Sequence, residues 1–535
     1  MQLPQAALRH VSVISRRQGP GHLGAAAAAA ARSASAGQVK PSWRTCSSSP
    51  LARAGTPGQR RSYATATTVS AAQLEFGQPV HETHPHILKA GEITPGISAQ
   101  EYADRRAALA LNLPQDGDVA VLASADLLYR SGAVFFPFRQ ETNFMYLTGF
   151  LEPFSVAVIR RTGPNLGDLS FHLFCRPKDP RAEQWGGPWS GLQAAEDVFN
   201  ADVAGDISQL DTLLPQLLQG ANRTYTDIDL NSTAKRYHQQ STTARAVAAT
   251  VAHHATSRNS SSTRPLQPLV NQLRAIKSPA EIANMRQAGR VSGRALTDAM
   301  RRAWTDEAQL QAFLEYRFHS DGCSGPAYVP VVAGGARGCK IHYVHNTAQL
   351  AADETVLVDA GGEYGGYVAD ITRVWPTGRG GGGNVFSAPQ RDLYETVLRV
   401  QRAGVSLCRA DAGLTLDQIH HTTAQALRDE LKQLGFDFSM SAGIDVLFPH
   451  HVGHYVGLDV HDVPGYGRSC VLRAGHCVTI EPGVYVPVDD ERWPKHFRGL
   501  AVRIEDSVCV LDDAPLNLTV EAVKEVVDIE ALRNK

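Results

Sequence analysis

Three absences narrow the reading of this 535-residue sequence. No two cysteines are spaced as a CxxC pair, and the eight present (Cys46, Cys175, Cys323, Cys339, Cys408, Cys470, Cys477 and Cys509) are scattered. At that density a long chain has reduced, mostly buried thiols rather than a disulfide framework. No uninterrupted apolar run reaches the roughly 18 residues of a membrane span. The Ala25–Ala31 run is too short and too weakly hydrophobic to count. The third absence is local: residues 1–74 contain no Asp or Glu, against nine Lys or Arg. The remainder then carries 43 basic and 53 acidic residues, about −10, with no basic stripe. Nucleic acid is therefore not the expected partner.

What is present fits a globular protein of two or three domains: 43% hydrophobic and 20% charged residues. The acid-free prefix, rich in Arg, Ser and Ala, has the composition of a mitochondrial presequence. It ends in Arg60-Arg61-Ser62-Tyr63-Ala64, which resembles the fungal site where the matrix processing peptidase cuts two residues after Arg. That places a first cut after Ser62 and a second that removes Tyr63.

Residues 76–100 read as an irregular linker or arm. Beyond them, Tyr102–Leu113 has helical composition, and Val119–Ala123, Ser155–Ile159 and Phe171–Cys175 have strand composition. Alternating strands and helices to about residue 270 predict an α/β domain. The aromatics of residues 129–159 are assigned to its core, with Arg139 and Asn143 left as polar groups able to face a ligand. Ser278, Pro279 and Glu281 form a capping box with proline at the first helical position, opening a helix with one buried face. Further helices are expected over Asp306–Phe318, Gln390–Leu407 and Leu416–Leu434. The Gly378–Gly383 tract lacks the strand and GK[ST] context of a phosphate loop and reads as a surface insertion.

Five side chains in the last third make a donor set. Asp359 and Asp370 end apolar runs on the expected paired strands Val356–Ala360 and Tyr367–Thr372. An acid at the end of an apolar run is costly unless its charge is neutralised. His454 follows a glycine in a β-rich stretch, Glu481 ends the strand Cys477–Ile480, and Glu505 lies in the strand Leu500–Val508. Four carboxylates and an imidazole form a hard, oxygen-rich set, suited to Mn²⁺ or a similar divalent ion rather than a thiolate zinc site. One divalent ion leaves four carboxylates over-charged; two balance them, as in dimetal aminopeptidases. Glu481 is the candidate proton carrier. His342, His450 and His461 are candidate hydrogen-bond partners of a substrate carbonyl, and Arg503 is placed to orient a metal carboxylate. Taken singly, Asp359 or Asp370 is more commonly a satisfied buried group at a turn than a metal ligand. His450 and His454 are four apart, but Gly453 and the missing HExxH glutamate argue against a helical zinc pair. His345, His451 and His476 read as solvated or packed.

VDAGGEYGGYVADITR (358–373), HHVGHYVGLDVHD (450–462), IEPGVY (480–485) and RIED (503–506) resemble the aminopeptidase P and prolidase branch of the pita-bread metallopeptidases. The likeness extends from about residue 95 to 535 and includes YRSGAVFFPFRQETNFMYLTGF (129–150). It implies a creatinase-like amino-terminal α/β domain (101–268) and a pita-bread α+β catalytic domain (269–535) with a curved antiparallel sheet. Before them come a presequence (1–74) and an arm (75–100). By motif position, Asp359 would hold one Mn²⁺, Asp370 and Glu505 would bridge two, and His454 and Glu481 would bind the other. His342 and His461 would contact substrate, with His450 nearby and Arg503 behind the ligands.

Within this family the presequence makes the chain similar to the mitochondrial intermediate-cleaving peptidases of fungi. These remove one bulky, destabilising residue from imported proteins after presequence cleavage. The alternatives are an X-Pro aminopeptidase, a prolidase-like dipeptidase, and a metal-free pita-bread binding protein. The resemblance implies a matrix enzyme acting on peptide amino termini, with peripheral contact to the inner membrane left open and a homodimer expected.

Overall fold

A computed structural model describes residues 75–230, 241–257, 263–378, 384–439 and 443–533. The expectations for the basic prefix, for Tyr63 and for 379–383 of the glycine tract lie outside the described residues. The described residues fall within one compact unit.

Its first half is built on a six-stranded sheet. Val119–Ala123 lies in the interior, antiparallel to Val156–Arg161 and parallel to Thr224–Tyr225; Leu169–Cys175, Val203–Asp206 and Thr263–Arg264 complete the order. Side chains alternate across a strand, and the two faces feed different cores. Ala120, Leu122, Ala157 and Ile159 pack toward the helix Ala99–Asn112 and the second half of the chain. Val119, Val121, Val156 and Val158 pack against Leu210–Leu218 and Thr242–Ser257. The expected arm is ordered by burial of Val80, Leu88 and Ile97 and by a short hairpin of Glu92–Thr94 with Ile97–Ser98. Gln78 fixes it, donating to the Gly149 carbonyl (3.0 Å) and accepting from Leu151 N (2.6 Å).

The capping box forms as expected. Glu281 N donates to Ser278 Oγ (3.2 Å) and Ser278 N to Glu281 Oε2 (2.8 Å), opening the helix Pro279–Met300. Helices Glu307–Ser320, Ala388–Ser406 and Leu416–Gln433 follow. They cover short antiparallel ladders: Val331–Gly334 with Thr355–Asp359 and Thr372–Pro376, and Cys477–Ile480 with Asp506–Val510 and Pro515–Asn517. Val356, Val358, Val374, Leu393, Val397, Ile480 and Val508 meet between them.

Two strand expectations are corrected. The run Tyr367–Thr372 is not one strand: Tyr367–Val368 pairs with Gly362–Tyr364, whereas Thr372–Pro376 pairs with Thr355–Asp359. Asp370 occupies the break between them. Likewise Leu500–Val508 divides into Ala501–Arg503, paired with Gly483–Tyr485, and Asp506–Val510, with Glu505 at the break. At each break the chain changes partner strand, which turns an acid out of the ladder. Period-two alternation cannot reveal a change of partner.

Candidate active site

Asp359 ends its strand directly opposite Thr372. Thr372 Oγ1 donates to Glu505 Oε2 (2.7 Å) and accepts from Arg503 Nε (2.8 Å). Arg503 also donates from Nη2 to Asp359 Oδ2 (2.7 Å) and from Nη1 to the Tyr485 hydroxyl (2.9 Å). One fully buried guanidinium thus supports both halves of the acid cluster. The Glu505 amide donates to the Thr372 carbonyl (3.1 Å), stitching the two ladders together at the break.

The Gly453–His454 segment lies against the strand Cys477–Ile480. Thr479 N donates to the His454 carbonyl (2.9 Å), and His454 N donates to Thr479 Oγ1 (3.1 Å). A Cβ on Gly453 would sit 1.9 Å from the Thr479 carbonyl oxygen, so only glycine allows this approach. His454 Nδ1 contacts the Tyr455 carbonyl (3.0 Å), which turns Nε2 toward Asp370 Oδ2 (3.4 Å) and Glu481 Oε1 (3.5 Å). Among the described residues, Asp370, His454 and Glu505 form a group whose donor atoms all lie within 4.8 Å of one another. Asp359 and Glu481 flank it.

The electrostatics are those of crowded acids. Burial, then the charges of Asp370, Glu481 and Asp359, push the Glu505 carboxyl well above the ordinary range. Burial also raises Glu481, to about 7, against the pull of His454 and Arg503. Burial works against charge on His454, yet its hydrogen bond to Asp370 and the charge of Glu481 raise it to about 9. For Asp370, burial is outweighed by the His454 hydrogen bond and charge, and the carboxyl is lowered. Such a cluster demands positive charge beside it. With oxygen donors and a suitably turned imidazole, it fits divalent cations.

The other expected residues surround it. His461 is exposed, with its ring edge-on to that of His454 (centroids 4.5 Å). His342 is exposed and acts electrostatically on His450 and His461. Its loop is pinned by Asn346, which accepts from Val332 N (3.0 Å) and donates to the Pro330 carbonyl (2.7 Å). Both His450 nitrogens are engaged within the protein, one at the His451 carbonyl (2.9 Å) and one at the Tyr485 hydroxyl (2.7 Å). The donor expected of His450 toward substrate is therefore not free in this arrangement. Burial, followed by the Arg503 charge, lowers its pKa to about 3. Arg139 and Asn143 do not face the acid cluster. Arg139 joins Glu363 (2.8 Å), and Asn143 accepts from Arg274 (2.7 Å).

Sequence reasoning missed Tyr328 and Tyr485. The Tyr328 hydroxyl lies 2.7 Å from both Asp359 Oδ1 and Asp370 Oδ1. In YVPVV it reads as a core aromatic, with no signal in its neighbours.

The signature of metallopeptidase family M24 matches residues 283–512, and that of the aminopeptidase P N-terminal domain matches 102–225. Intermediate cleaving peptidase 55 of Saccharomyces cerevisiae is 42% identical over 85% of this chain and 88% of its own. The chain belongs to metallopeptidase family M24. Human Xaa-Pro aminopeptidase 3, another relative of this M24 chain, is 38% identical over 85% of the chain and 90% of its own length. The crystal structure of Icp55 from Saccharomyces cerevisiae superposes with a TM-score of 0.75 at 39% identity, covering 83% of this chain and 99% of that one. Escherichia coli aminopeptidase P with the inhibitor Pro-Leu gives 0.71 at 31%, covering 82% and 98%. These M24 neighbours establish the pita-bread fold with an amino-terminal domain. Family membership implies divalent metal ions and hydrolysis of peptide bonds.

Proposed function

We propose that this M24 chain is a dimetal aminopeptidase that removes a single destabilising residue (Tyr, Leu or Phe) from imported mitochondrial proteins after presequence cleavage. The observation that carries the reading is the convergence of Asp370, His454 and Glu505, flanked by Asp359 and Glu481, in a chain so similar to intermediate cleaving peptidase 55. Asp359, Asp370, His454, Glu481 and Glu505 would together hold two divalent ions, Mn²⁺ in this reading. Bound there, such ions supply a water nucleophile of low pKa and a polarised scissile carbonyl. Glu481 takes the proton of the attacking water and passes it to the leaving amine. His342 and His461, at the exposed rim, hydrogen-bond the substrate carbonyl and the developing oxyanion. Arg503 orients Asp359 directly, and Glu505 through Thr372.

Residues 101–268 are assigned to the amino-terminal domain and 269–535 to the catalytic domain, in line with the two signatures. The mitochondrial matrix is the proposed location, supported by the acid-free prefix and by a relative from Arabidopsis thaliana named as mitochondrial. Among the described residues no helix is long and apolar enough to cross a membrane. A homodimer is part of the proposal, supported by the hairpin of Tyr129–Ser131 with Val134–Phe135, where Tyr129 and Phe135 are exposed rather than in the core expected of them.

Activity on peptides beginning Tyr-Ala, Leu-Ser and X-Pro, with and without Mn²⁺ and with Asp370→Ala as control, tests the reading. Release of the first residue from Tyr-Ala and Leu-Ser peptides is expected. X-Pro cleavage alone would favour the second reading, an X-Pro aminopeptidase, which the relatives named Xaa-Pro aminopeptidase 3 support. Cleavage of dipeptides alone would favour prolidase.

A further inference from the structure

We infer that Asp462, gripped by Arg274 and Lys277, is a positioning residue that sets the place of His461 over the acid cluster. The inference rests on the reading above in which His461 contacts substrate. His461 is exposed and, among the described residues, its side chain makes no hydrogen bond, so its position depends on the turn that carries it. That turn is tightly folded: Gly457 N donates to the Asp459 carbonyl (3.0 Å), and Asp462 N donates to the Tyr455 carbonyl (2.9 Å). Val463, immediately after Asp462, is buried with φ +46°. A β-branched residue at positive φ is a strained conformation that persists only where its surroundings over-determine it.

The surroundings are a buried charge array. Asp462 Oδ2 accepts from Lys277 Nζ (2.8 Å), and Oδ1 accepts from Arg274 Nη2. The same guanidinium reaches Asp459 Oδ2 (2.8 Å), so Arg274 holds the turn on both sides of His461. Its Nη1 donates to Asn143 Oδ1 (2.7 Å). Thr142 Oγ1 donates to Asp459 Oδ1 (2.8 Å), and Arg139 Nη2 donates to the Leu458 carbonyl (2.5 Å). Asp462, Arg274 and Lys277 are each 5% exposed or less. The turn also needs glycine at 457: a Cβ there would lie 2.5 Å from Asp462 Oδ2 and 2.8 Å from Lys277 Cε.

Buried ion pairs add little net stability compared with apolar packing, but they fix geometry, and removing one partner strands the other's charge. Here the fixed geometry is that of a turn with one exposed tip side chain beside the acid cluster. Arg274 and Lys277 lie outside both family signatures, 102–225 and 283–512.

The test compares the full Mn²⁺-loaded chain with its His461→Ala, Asp462→Asn and double variants on a peptide beginning Tyr-Ala. Asp462→Asn is expected to lower kcat about tenfold to a hundredfold with KM changed by no more than about twofold. Bound Mn²⁺ should be unchanged, and the Gly457 and Asp462 amides should exchange faster with deuterium. In the His461→Ala background, Asp462→Asn should cost nothing further. Losses that multiply in the double variant, or a lower Tm with unchanged kcat, would overturn the inference. Normal kinetics for His461→Ala would overturn both it and the assignment of His461 to substrate. If Asp462→Asn does not fold, Arg274→Lys replaces it: the charge stays, the three-way grip is lost, and the same pattern is required.

Discussion

Arg503 reaches back 144 residues to Asp359, with its Nη2 2.7 Å from the carboxylate. Because the same group also holds Thr372 and Tyr485, it sets the spacing between two ladders that share no regular pairing. A lysine carries the charge but lacks the planar fork. Arg503→Lys is expected to weaken Mn²⁺ binding about 10- to 100-fold, measured by equilibrium dialysis. Unchanged affinity would show that Asp359 and Glu505 hold their places without it.

Tyr328 spans Asp359 and Asp370 with one hydroxyl. Tyr328→Phe removes that donor and little else. Metal affinity should fall about tenfold, with kcat largely restored at saturating Mn²⁺. A loss of kcat that excess metal leaves untouched would instead place the hydroxyl in the chemistry.

Binding to the folded state alone stabilises it by mass action. Mn²⁺ at a hundred times its Kd should add about 2.7 kcal/mol to the unfolding free energy. Chelation should reverse the gain. Asp370→Ala should show neither effect in thermal melts, and a full Mn²⁺ response from it would remove Asp370 from the ligand set.

Burial works against the Asp462 carboxylate, but Lys277 and Arg274 win and lower its pKa from 3.8 to about 2. A carboxyl depressed by folding stabilises above its unfolded value and loses that contribution as the pH falls through the folded one. About 2 kcal/mol should therefore be present above pH 4 and withdrawn between pH 4 and pH 2. Chemical denaturation across that range measures it, and Asp462→Asn should flatten the slope.

The chain carries a candidate for its own substrate site. After cleavage behind Ser62, removal of Tyr63 would leave Ala64 first. Amino-terminal sequencing of the protein purified from mitochondria should read Ala64. A Tyr63 start would mean that the second cut does not occur.

The convergence of Asp359, Asp370, His454, Glu481 and Glu505 was legible because each sits in a short motif whose chemistry makes sense only in company. The helix at Ser278 was legible because a capping box is local. The breaks at Asp370 and Glu505 were not, since a strand's change of partner depends on residues more than a hundred positions away. Tyr328 was hidden for a related reason: a tyrosine among valines carries the same local pattern whether its hydroxyl meets water or two carboxylates. Arg139 and Asn143 were legible as polar groups among aromatics, but not their place beside the turn around His461, which depends on residues far along the chain.

The two strand breaks have a consequence for folding. The segments bearing Asp359 and Glu505 are joined by Arg503, Thr372, Arg373 and the Glu505 amide, contacts that link distant parts of the chain. Such contacts form late, because loop closure must precede them. A nascent or truncated chain that stops short of Glu505 cannot complete the cluster, however well its earlier helices form. A chain that lacks Glu505 thus lacks one of the acids that would hold the cation, and such a truncation is expected to be inactive.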